Sequence, residues 1–527
     1  MKKSRKITVN LVSDRFFVRR ELCIMEKNNH KKGKLCMKKS VKKRVVLLWL
    51  LAAMLCSACG QKDAGTEPET TAETTAETVA ESESETTRAD VSDNLPEKDF
   101  DGREFRIVSY SYIADDYEAE EMNGSLVNDA IYNRNLAVEE RFKIKLVADG
   151  SMDAGAAKAL VTKSVQAGED AMELSVNHMI EQANAATTGV FRDWNEIPYV
   201  DVTRTWWNKT AYENLSIAHK AYLMTGDISS WFLRGTYVVY FNKNRAEDAQ
   251  LSPDTLFDIA NDGKWTIDRY YDLVKDTWQD LNGDGKMDKE DYFGLAAQVT
   301  SYVTPFVYSL GEVTVGKDEN DIPHLDMNTE KFSSMVEKVY ALLYESGGTL
   351  TNRDWSTHSD LFKAGRALFM NGVLVHSMSS FTEMEDDYGI IPYPKWDEAQ
   401  QHYATMSDGS SPLCAIPKTV SDMEFVGLIT EGMAVESWRQ VTPAIYDVAL
   451  KVRNVRDPKS LTAIELAASS AVIDFGFVYG NYNSMGFVMS ELIGSKKNDF
   501  ASYFAGRADK WEKSLADIAE AAIESDS

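Results

Sequence analysis

The sequence predicts an α/β protein whose body consists of two lobes of mostly parallel strands flanked by helices. Strand and helix patterns alternate from residue 105 onward, and a βαβα order is typical of a parallel sheet with helices on its faces. The body, residues 99–527, holds 429 residues, which is more than one hydrophobic core supports. It follows residues 59–98, where Thr, Glu, Ala and Ser dominate, so we predict a disordered tether there.

Residues 37–60 have the composition of a secretory signal. A basic head precedes the uncharged apolar run 45–55, which is too short to span a bilayer comfortably, and small residues follow. We therefore predict a signal peptide at 37–58, with a transmembrane anchor or a buried core helix as the alternatives. Because Met37 opens a complete signal by itself, we expect residues 1–36 to be a start-site artefact, unless they form a long natural basic region.

Two small residues, Ser57 and Ala58, lie directly before Cys59 and resemble the lipobox of bacterial lipoproteins. This resemblance implies cleavage before Cys59, acylation of its thiol and a lipid anchor on the extracellular face of the cell membrane. The match departs at Cys56, where Leu is usual. Cys414 is the single cysteine of the body, so an intramolecular disulfide is excluded there, and we expect it to be a buried small hydrophobe.

The charge of the chain is divided unevenly at Cys59. Residues 1–59 hold 16 of the 57 Lys and Arg residues but 3 of the 82 Asp and Glu residues, so the remainder carries a formal net charge of −38. Nucleic acids need a basic face, and anionic membranes attract basic segments. The body is therefore predicted to have no electrostatic attraction for either surface, and we expect low affinity for anions.

The alternation of elements also indicates where a ligand would bind. Strands are predicted at 105–112, 143–147, 172–176, 238–243 and from 292, and helices at 126–141, 156–167, 267–279, 361–369 (broken by Gly365), 421–438 and 509–523. Ligands of such sheets bind beyond the carboxyl ends of the strands. For the first and third strands this rule points to Tyr110, Tyr112 and His178, although His178 could as well be a structural histidine.

Several motifs occur in a fixed order along the body. They are the stretches 123–135, 239–243, 263–267, 365–369, 389–395 and 416–418. Together, behind a lipobox and a tether, they resemble the extracellular solute-binding proteins of ABC importers, the group that includes sugar- and oligosaccharide-binding lipoproteins. Each motif is weak alone, and the order over essentially all of the body carries the resemblance.

This resemblance implies a two-lobed periplasmic-binding-protein-like fold of type II, with a hinge between the lobes. By analogy, lobe 1 would take 99–230 and 398–437, and lobe 2 would take 231–397 and 438–527. The ligand, a carbohydrate by the same analogy, would be captured by hinge closure and delivered to permease subunits by a monomer. A surface adhesin or sensor lipoprotein without an importer is the alternative, and a peptide ligand also stays open.

A second motif, at residues 280–291, has the spacing of a calcium-binding loop. Oxygen-bearing groups fall at loop positions 1, 3, 5, 7, 9 and 12, supplied by Asp280, Asn282, Asp284, the carbonyl of Lys286, Asp288 and Asp291. Gly285 at position 6 permits the sharp turn. The last position is Glu in an EF-hand, and no helix pattern follows, so we predict one structural Ca²⁺ site. An acidic turn without metal is the alternative, and Glu290 competes as a ligand if the register slips.

Aromatic side chains are the candidates for ligand contact. Sugars present apolar C–H faces that lie against aromatic rings, while their hydroxyls need carboxylates and amides. The candidates in loops or at strand ends are Trp206, Trp207, Trp231, Tyr237, Trp355 and Tyr479, with Asp227, Arg234, Asp354 and Asn483 nearby in the sequence. For each, burial in the core is the competing interpretation. Of the pair Trp206 and Trp207, we expect one ring to face the core and the other the cleft.

Catalytic motifs are missing from the sequence. It has no Gly-x-Ser-x-Gly elbow, no His-Glu-x-x-His, no phosphate-binding glycine loop and no dinucleotide fingerprint. A glycosidase needs just two carboxylates across a cleft, so a carbohydrate-active enzyme stays an alternative. We expect a binding protein rather than an enzyme.

Overall fold

The computed structural model describes residues 87–327, 329–451, 458–480 and 485–524, without the side chains of 449–451. The predicted start-site artefact, the signal peptide, Cys59 and Asn483 lie outside these residues. Within the described part of the chain, no helix has both the length and the apolar character needed to cross a membrane.

The strands form two larger sheets and two short pairs. Their bounds are Arg103–Val108 (β1), Ile144–Asp149 (β2), Leu174–His178 (β3), Tyr237–Asn242 (β4), Phe293–Gln298 (β5), Val315–Lys317 (β6), Pro323–Leu325 (β7), Thr349–Asn352 (β8), Ala367–Val373 (β9), Tyr388–Ile391 (β10), Thr405–Met406 (β11), Pro412–Ala415 (β12) and Ala471–Val472 (β13).

The α-helices cover the faces of the sheets. They are Leu126–Phe142 (α1), Ala154–Gln166 (α2), Met179–Ala186 (α3), Lys209–Leu215 (α4), Ser230–Arg234 (α5), Lys243–Asp248 (α6), Pro253–Asn261 (α7), Ile267–Val274 (α8), Phe306–Ser309 (α9), Glu330–Tyr340 (α10), Thr357–Lys363 (α11), Val375–Met378 (α12), Met423–Glu436 (α13), Thr442–Lys451 (α14), Pro458–Ser469 (α15), Phe475–Val478 (α16), Val488–Gly494 (α17), Phe500–Ala505 (α18) and Ala508–Glu524 (α19).

The first sheet has the order β12-β3-β1-β2 and the second the order β10-β4-β9-β5-β8. β1 runs parallel to β2 and β3, and β5 runs parallel to β8 and β9. β12 is antiparallel to β3, and β4 is antiparallel to both β9 and β10. The predicted βαβαβ order of the first lobe is confirmed. β3 and β12 are almost entirely buried, whereas the edge strand β2 is buried only at Ile144.

One helix ends earlier than its apolar pattern predicts. The pattern suggested a helix over 267–279, but α8 ends at Val274, and Asp276 has a φ of +56°. Its start follows the sequence, because the Thr266 side chain accepts a hydrogen bond from the Arg269 N–H. The early end leaves Trp278 in a loop, where its indole bonds to Asp291 instead of packing on the helix face.

The predicted helix at 361–369 is wrong in its second half. α11 ends at Lys363, Gly365 has a φ of +66°, and the chain continues as β9 from Ala367. Glycine at positive φ is a usual helix terminator, not a break within a helix. The run that follows is buried throughout, as expected for a strand at the centre of a sheet.

Residues 87–98 are folded, whereas the sequence placed them in the tether. Leu95 is buried in the core, and Asp93 forms an ion pair with Arg141 at 2.9 Å. The Arg88 guanidinium donates to the carbonyl oxygen of Trp438 at 2.6 Å. The body therefore begins before residue 99, because these side chains have specific partners 48 and 350 residues away in the folded part of the chain.

Candidate ligand-binding cleft

Two segments of the chain pass side by side between the sheets. One is α5 with the turn into β4, and the other is 407–411, which leads into β12. The Asp408 N–H donates to the carbonyl oxygen of Gly235 at 2.9 Å, and the Ser407 hydroxyl donates to the carbonyl oxygen of Phe232 at 2.8 Å. Paired crossing segments of this kind are suited to serve as a hinge, because few backbone angles join the two sheets there.

Asp408 lies on the second of these segments and is half-buried. Its Oδ1 accepts hydrogen bonds from the Ser410 N–H at 2.9 Å and the Ser410 hydroxyl at 2.6 Å. Its Oδ2 accepts a hydrogen bond from the Tyr237 hydroxyl at 2.6 Å. We call the aromatic and polar side chains around this carboxylate the Asp408 site. The sequence analysis missed Asp408, since an Asp-Gly-Ser-Ser stretch also fits an ordinary turn.

The first sheet contributes the residues that follow β1 and β3. Tyr110 donates its hydroxyl proton to the carbonyl oxygen of Ser410, and its ring centroid lies 6.3 Å from that of His178 and 6.5 Å from that of Tyr112. The Tyr112 side chain is 54% exposed and packs at 4.6 Å from the Trp231 ring. The structure therefore brings together the three residues that the strand-end rule predicted.

Trp231 and Arg234 on α5 are held by two acidic residues after β1. The guanidinium of Arg234 lies 4.3 Å from the centre of the Trp231 ring and contacts the carboxylates of Asp115 at 3.2 Å and Asp116 at 3.5 Å. Asp116 also accepts hydrogen bonds from the hydroxyl of Ser229 at 2.8 Å and from that of Ser230. Burial raises the pKa of Asp116 despite these partners. Arg234 is therefore engaged in positioning α5 on the first sheet.

The second sheet contributes residues that follow β5, β8 and β9. Tyr302 packs against Tyr237 at 5.5 Å, and Trp355 lies 6.3 Å from Tyr302, edge-on. The Trp355 side chain is 65% exposed, so its ring is free to contact a ligand. The carboxyl ends of the parallel strands of both sheets thus supply the Asp408 site, as expected for an α/β fold.

Two histidines stand behind Tyr302. The ring of His358 lies 5.0 Å and that of His376 6.2 Å from the Tyr302 ring. Burial lowers the pKa of His358 to about 3 and that of His376 to about 4, so both are neutral at neutral pH. Burial likewise raises the pKa of Tyr302 and Tyr237, and the negative charge of Asp408 adds to both shifts.

The structure does not bring Trp206 or Trp207 to the Asp408 site, and both rings are buried. Both side chains are at most 4% exposed, and their indole N–H groups donate to the two carboxylate oxygens of Glu431 at 2.8 and 2.7 Å. Trp206 packs against Trp438 and Trp207 against Trp194. The pair joins its segment to α13, and no local pattern in the sequence indicates this role.

Other candidates have structural partners away from the Asp408 site. Asp227 is hydrogen-bonded to the Thr442 hydroxyl, and burial raises its pKa to about 6. It lines a separate cavity of about 220 Å³ with Trp206 and Trp207. Tyr479 is buried and stacks on Phe475 at 4.5 Å.

Asp354 acts at the start of α11 instead of contacting a ligand. Its carboxylate accepts hydrogen bonds from the backbone N–H groups of Ser356 at 2.9 Å and Thr357 at 2.8 Å. It therefore orders the turn that carries Trp355. The remaining candidate, Asn483, lies outside the described residues.

The predicted calcium loop has part of the required arrangement. Asp280 accepts hydrogen bonds from the N–H groups of Gly283 at 2.7 Å and Gly285 at 2.8 Å, and both glycines have positive φ. Asn282 and Asp284 lie on the same exposed turn, where they accept further backbone hydrogen bonds. These residues fit the first half of such a loop.

Asp291 does not fit as the final ligand in this arrangement. Its two oxygens accept hydrogen bonds from the Trp278 indole at 2.9 Å and from the Leu281 N–H at 3.0 Å. The bond from Trp278 lowers the pKa of Asp291. Glu290, the competing residue, pairs with Arg366 at 3.2 Å. Within the described ranges, no group of three or more His, Cys, Asp or Glu side chains is arranged to hold a metal ion, so calcium binding stays a prediction.

Comparison with known proteins gives similarity in structure alone. No family model matches the sequence, and no curated protein matches it. UspC of M. tuberculosis has a TM-score of 0.50 and 12% identity, covering 79% of this chain and 100% of that chain. An ABC substrate-binding protein of Listeria monocytogenes in complex with cycloalternan has a TM-score of 0.48 and 14% identity, covering 80% and 99%.

A cyclic α-maltosyl-1,6-maltose binding protein of Arthrobacter globiformis has a TM-score of 0.49 and 15% identity, covering 80% of this chain and 99% of its own. At such identities a likeness concerns the fold. The likeness to UspC, together with the two sheets and their crossing segments, confirms the fold that the sequence motifs implied. The chain has the two-lobed α/β fold of periplasmic binding proteins.

Proposed function

We propose that this protein is the substrate-binding lipoprotein of an ABC importer and captures a carbohydrate between its lobes by hinge closure. One observation carries the proposal. Aromatic side chains from both sheets lie around the paired crossing segments. Tyr237 bonds to the Asp408 carboxylate and packs against Tyr302, which contacts the exposed ring of Trp355, while the exposed ring of Tyr112 packs on Trp231. Rings that bind C–H faces and a carboxylate that accepts hydroxyl protons are the two chemistries that a sugar needs.

The location of the site supports a mechanism of capture. A ligand at Asp408 contacts residues of both sheets only when the sheets are close together. Its binding energy therefore stabilises the closed state. The permease then recognises that state. The lipobox-like Ser57-Ala58-Cys59 supports an anchor that holds the protein at the extracellular face of the membrane, and the acidic stretch after it supports a tether.

Thermal unfolding against a panel of mono- and oligosaccharides tests this proposal. A ligand that binds the folded state alone, at a hundred times its dissociation constant, adds about 2.7 kcal/mol to the free energy of unfolding. We expect one sugar class to raise the melting temperature while the sugar remains intact over hours. Consumption of the sugar would instead assign an enzyme, and stabilisation by peptides alone would assign a peptide-binding protein.

Variants at the exposed rings connect that binding to the Asp408 site. Trp355→Ala and Tyr112→Ala are each expected to weaken the sugar's affinity about tenfold, or about 1.4 kcal/mol, because each removes an aromatic face. Neither should change unfolding by more than about 0.5 kcal/mol, since both side chains are largely exposed. Tyr199→Ala, at an exposed tyrosine that contacts Glu424, is the matched control. Equal affinities of all three variants for the sugar would show that the sugar does not bind at Tyr112 and Trp355.

A further inference from the structure

The Asp408 carboxylate has no cationic partner among the described residues. All three of its hydrogen bonds come from neutral donors, namely the Ser410 N–H, the Ser410 hydroxyl and the Tyr237 hydroxyl. Oδ1 accepts two of them and Oδ2 accepts one, so Oδ2 retains room for another donor. Neutral donors bring no positive charge to the carboxylate, so a ligand that enters the site meets an acidic group without an ion-pair partner among the described residues.

The basic side chains near Asp408 do not neutralise it. Arg234 pairs with Asp115 and Asp116, two acidic groups for one cation. His178 and His376 feel the charge of Asp408, but burial lowers the pKa of both, to about 4 for His376. Among the described residues, the Asp408 site and the adjoining start of α5 therefore hold three acidic side chains, Asp115, Asp116 and Asp408, and one arginine, Arg234.

Electron-rich rings surround this charge. Tyr110 and Tyr112 lie on the side of the first sheet, and Tyr302 and Trp355 on the side of the second, with Tyr237 bonded to the carboxylate itself. Ring faces attract cations, and the attraction grows when the cation leaves water. A carboxylate with electron-rich rings close to it is an environment that favours an ammonium group.

We propose that the Asp408 site selects a saccharide that carries an ammonium group, that is, an amino sugar, with the ammonium at Asp408 Oδ2 and the sugar faces on the surrounding rings. This inference rests on the proposed function and names its substrate class. It also gives a reason for the specificity, because a neutral sugar would leave the carboxylate charge uncompensated and an acidic sugar would be repelled by it.

Three disaccharides with the same β-1,4 linkage test the inference by calorimetric titration. The diglucosamine carries ammonium groups, its N-acetylated form carries neutral amides, and cellobiose carries hydroxyls. We expect diglucosamine, in mildly acidic buffer that keeps it protonated, to bind at least tenfold more tightly than the other two. The preference should shrink when salt is added, because salt screens the attraction between exposed charges.

Asp408→Asn is the variant that isolates the charge. The Asn side chain keeps a carbonyl oxygen that can accept from Ser410, while the negative charge is lost. We expect the dissociation constants of this variant for diglucosamine and cellobiose to differ by less than threefold. Asp397→Asn is the matched control, because Asp397 is exposed and likewise accepts backbone N–H bonds, from Ala399 and Gln400. That control should keep the full preference.

The possible outcomes separate the inference from the proposed function. If neutral sugars of any linkage bind as tightly as diglucosamine, or if diglucosamine fails to bind while a neutral sugar does, the inference is wrong and the proposed function stands. A preference that survives Asp408→Asn unchanged would also overturn it. If no saccharide of the wider panel binds, both the inference and the proposed function fail.

Discussion

Glu431 is a buried carboxylate on α13 whose role depends on its protonation. It is 1% exposed and accepts hydrogen bonds from the indoles of Trp206 and Trp207. Burial raises its pKa to about 7, although the two indole bonds act in the opposite direction. A raised pKa in the folded state means that the folded protein holds this proton more strongly than the unfolded chain does.

The stability of the protein should therefore depend on pH through Glu431. Its contribution is complete below the unfolded pKa, about 4.3, and is lost as the pH rises through about 7. The Glu431→Gln side chain cannot ionise. The free energy of unfolding of this variant, relative to that of the natural protein, is therefore expected to rise by roughly 3 kcal/mol from pH 5 to pH 8. Urea unfolding across this range measures the difference.

Glu424→Gln, on the first turn of the same helix, serves as the control, because that carboxylate is 43% exposed and pairs with Lys98. The free energy of unfolding of this variant should show no comparable rise relative to the natural protein over the same pH range. A Glu431→Gln variant that becomes less stable than the natural protein as the pH rises would show that the two indoles keep the carboxylate ionised.

At the scale of elements, the loop 280–291 is the clearest case in which a sequence motif leads to a test. Asp280, Asn282 and Asp284 lie on an exposed turn, while Asp291 is engaged by Trp278 and Leu281. If Ca²⁺ binds, it adds oxygen–metal contacts to the turn and raises the free energy of unfolding by mass action.

We expect millimolar Ca²⁺ to raise the melting temperature and EDTA to lower it to the metal-free value. Asp284→Ala should abolish this difference, and Asp262→Ala, at an aspartate that pairs with Lys264, should preserve it. The calcium-dependent difference is the readout, since Asp284 also accepts a hydrogen bond from the Lys286 N–H. Identical melting in Ca²⁺ and EDTA would leave the loop as an acidic surface turn.

At the scale of the whole molecule, the proposed capture depends on movement at the two crossing segments. Gly235 lies at their closest approach, where an added Cβ would lie 2.9 Å from the carbonyl oxygen of Trp231 and closer still to the hydroxyl of Ser411. Such separations are too short for a carbon atom. Because Ser411 lies on the other segment, an alanine at 235 has to displace that side chain and disturb the contact between the two segments.

Gly235→Ala is therefore expected to impair closure. The natural protein should become more compact when the sugar identified by the panel binds, and the variant should show less contraction and at least tenfold weaker affinity. Small-angle X-ray scattering with and without the sugar measures the change in radius of gyration. Gly155→Ala near the start of α2, where the nearest atom lies 3.5 Å away, is the control. Equal contraction in both variants would exclude this hinge position.

The sequence by itself determined the features that depend on neighbours in the chain. The alternation of apolar and polar residues indicated β1, α1, β2, α2 and β3, and strand-end position indicated Tyr110, Tyr112 and His178 as site residues. The elements were predicted correctly because a periodic pattern is a local property. The structure brings the three side chains together at the strand ends, and their role in ligand binding stays a prediction. At Gly365 the sequence correctly indicated an interruption of the helix. The residues after it form strand β9, whereas the sequence predicted that the helix continues.

The tertiary structure alone decided which distant segments meet. Asp408 joins Tyr237 across 171 residues and Trp206 joins Glu431 across 225, and nothing near either residue in the chain distinguishes a cleft from a core. Both pairs contain an aromatic ring and a carboxylate, yet one lies at the junction of the sheets and the other beneath a helix. The sequence determines which functional group a residue carries, whereas the exposure of that group depends on which elements pack over it.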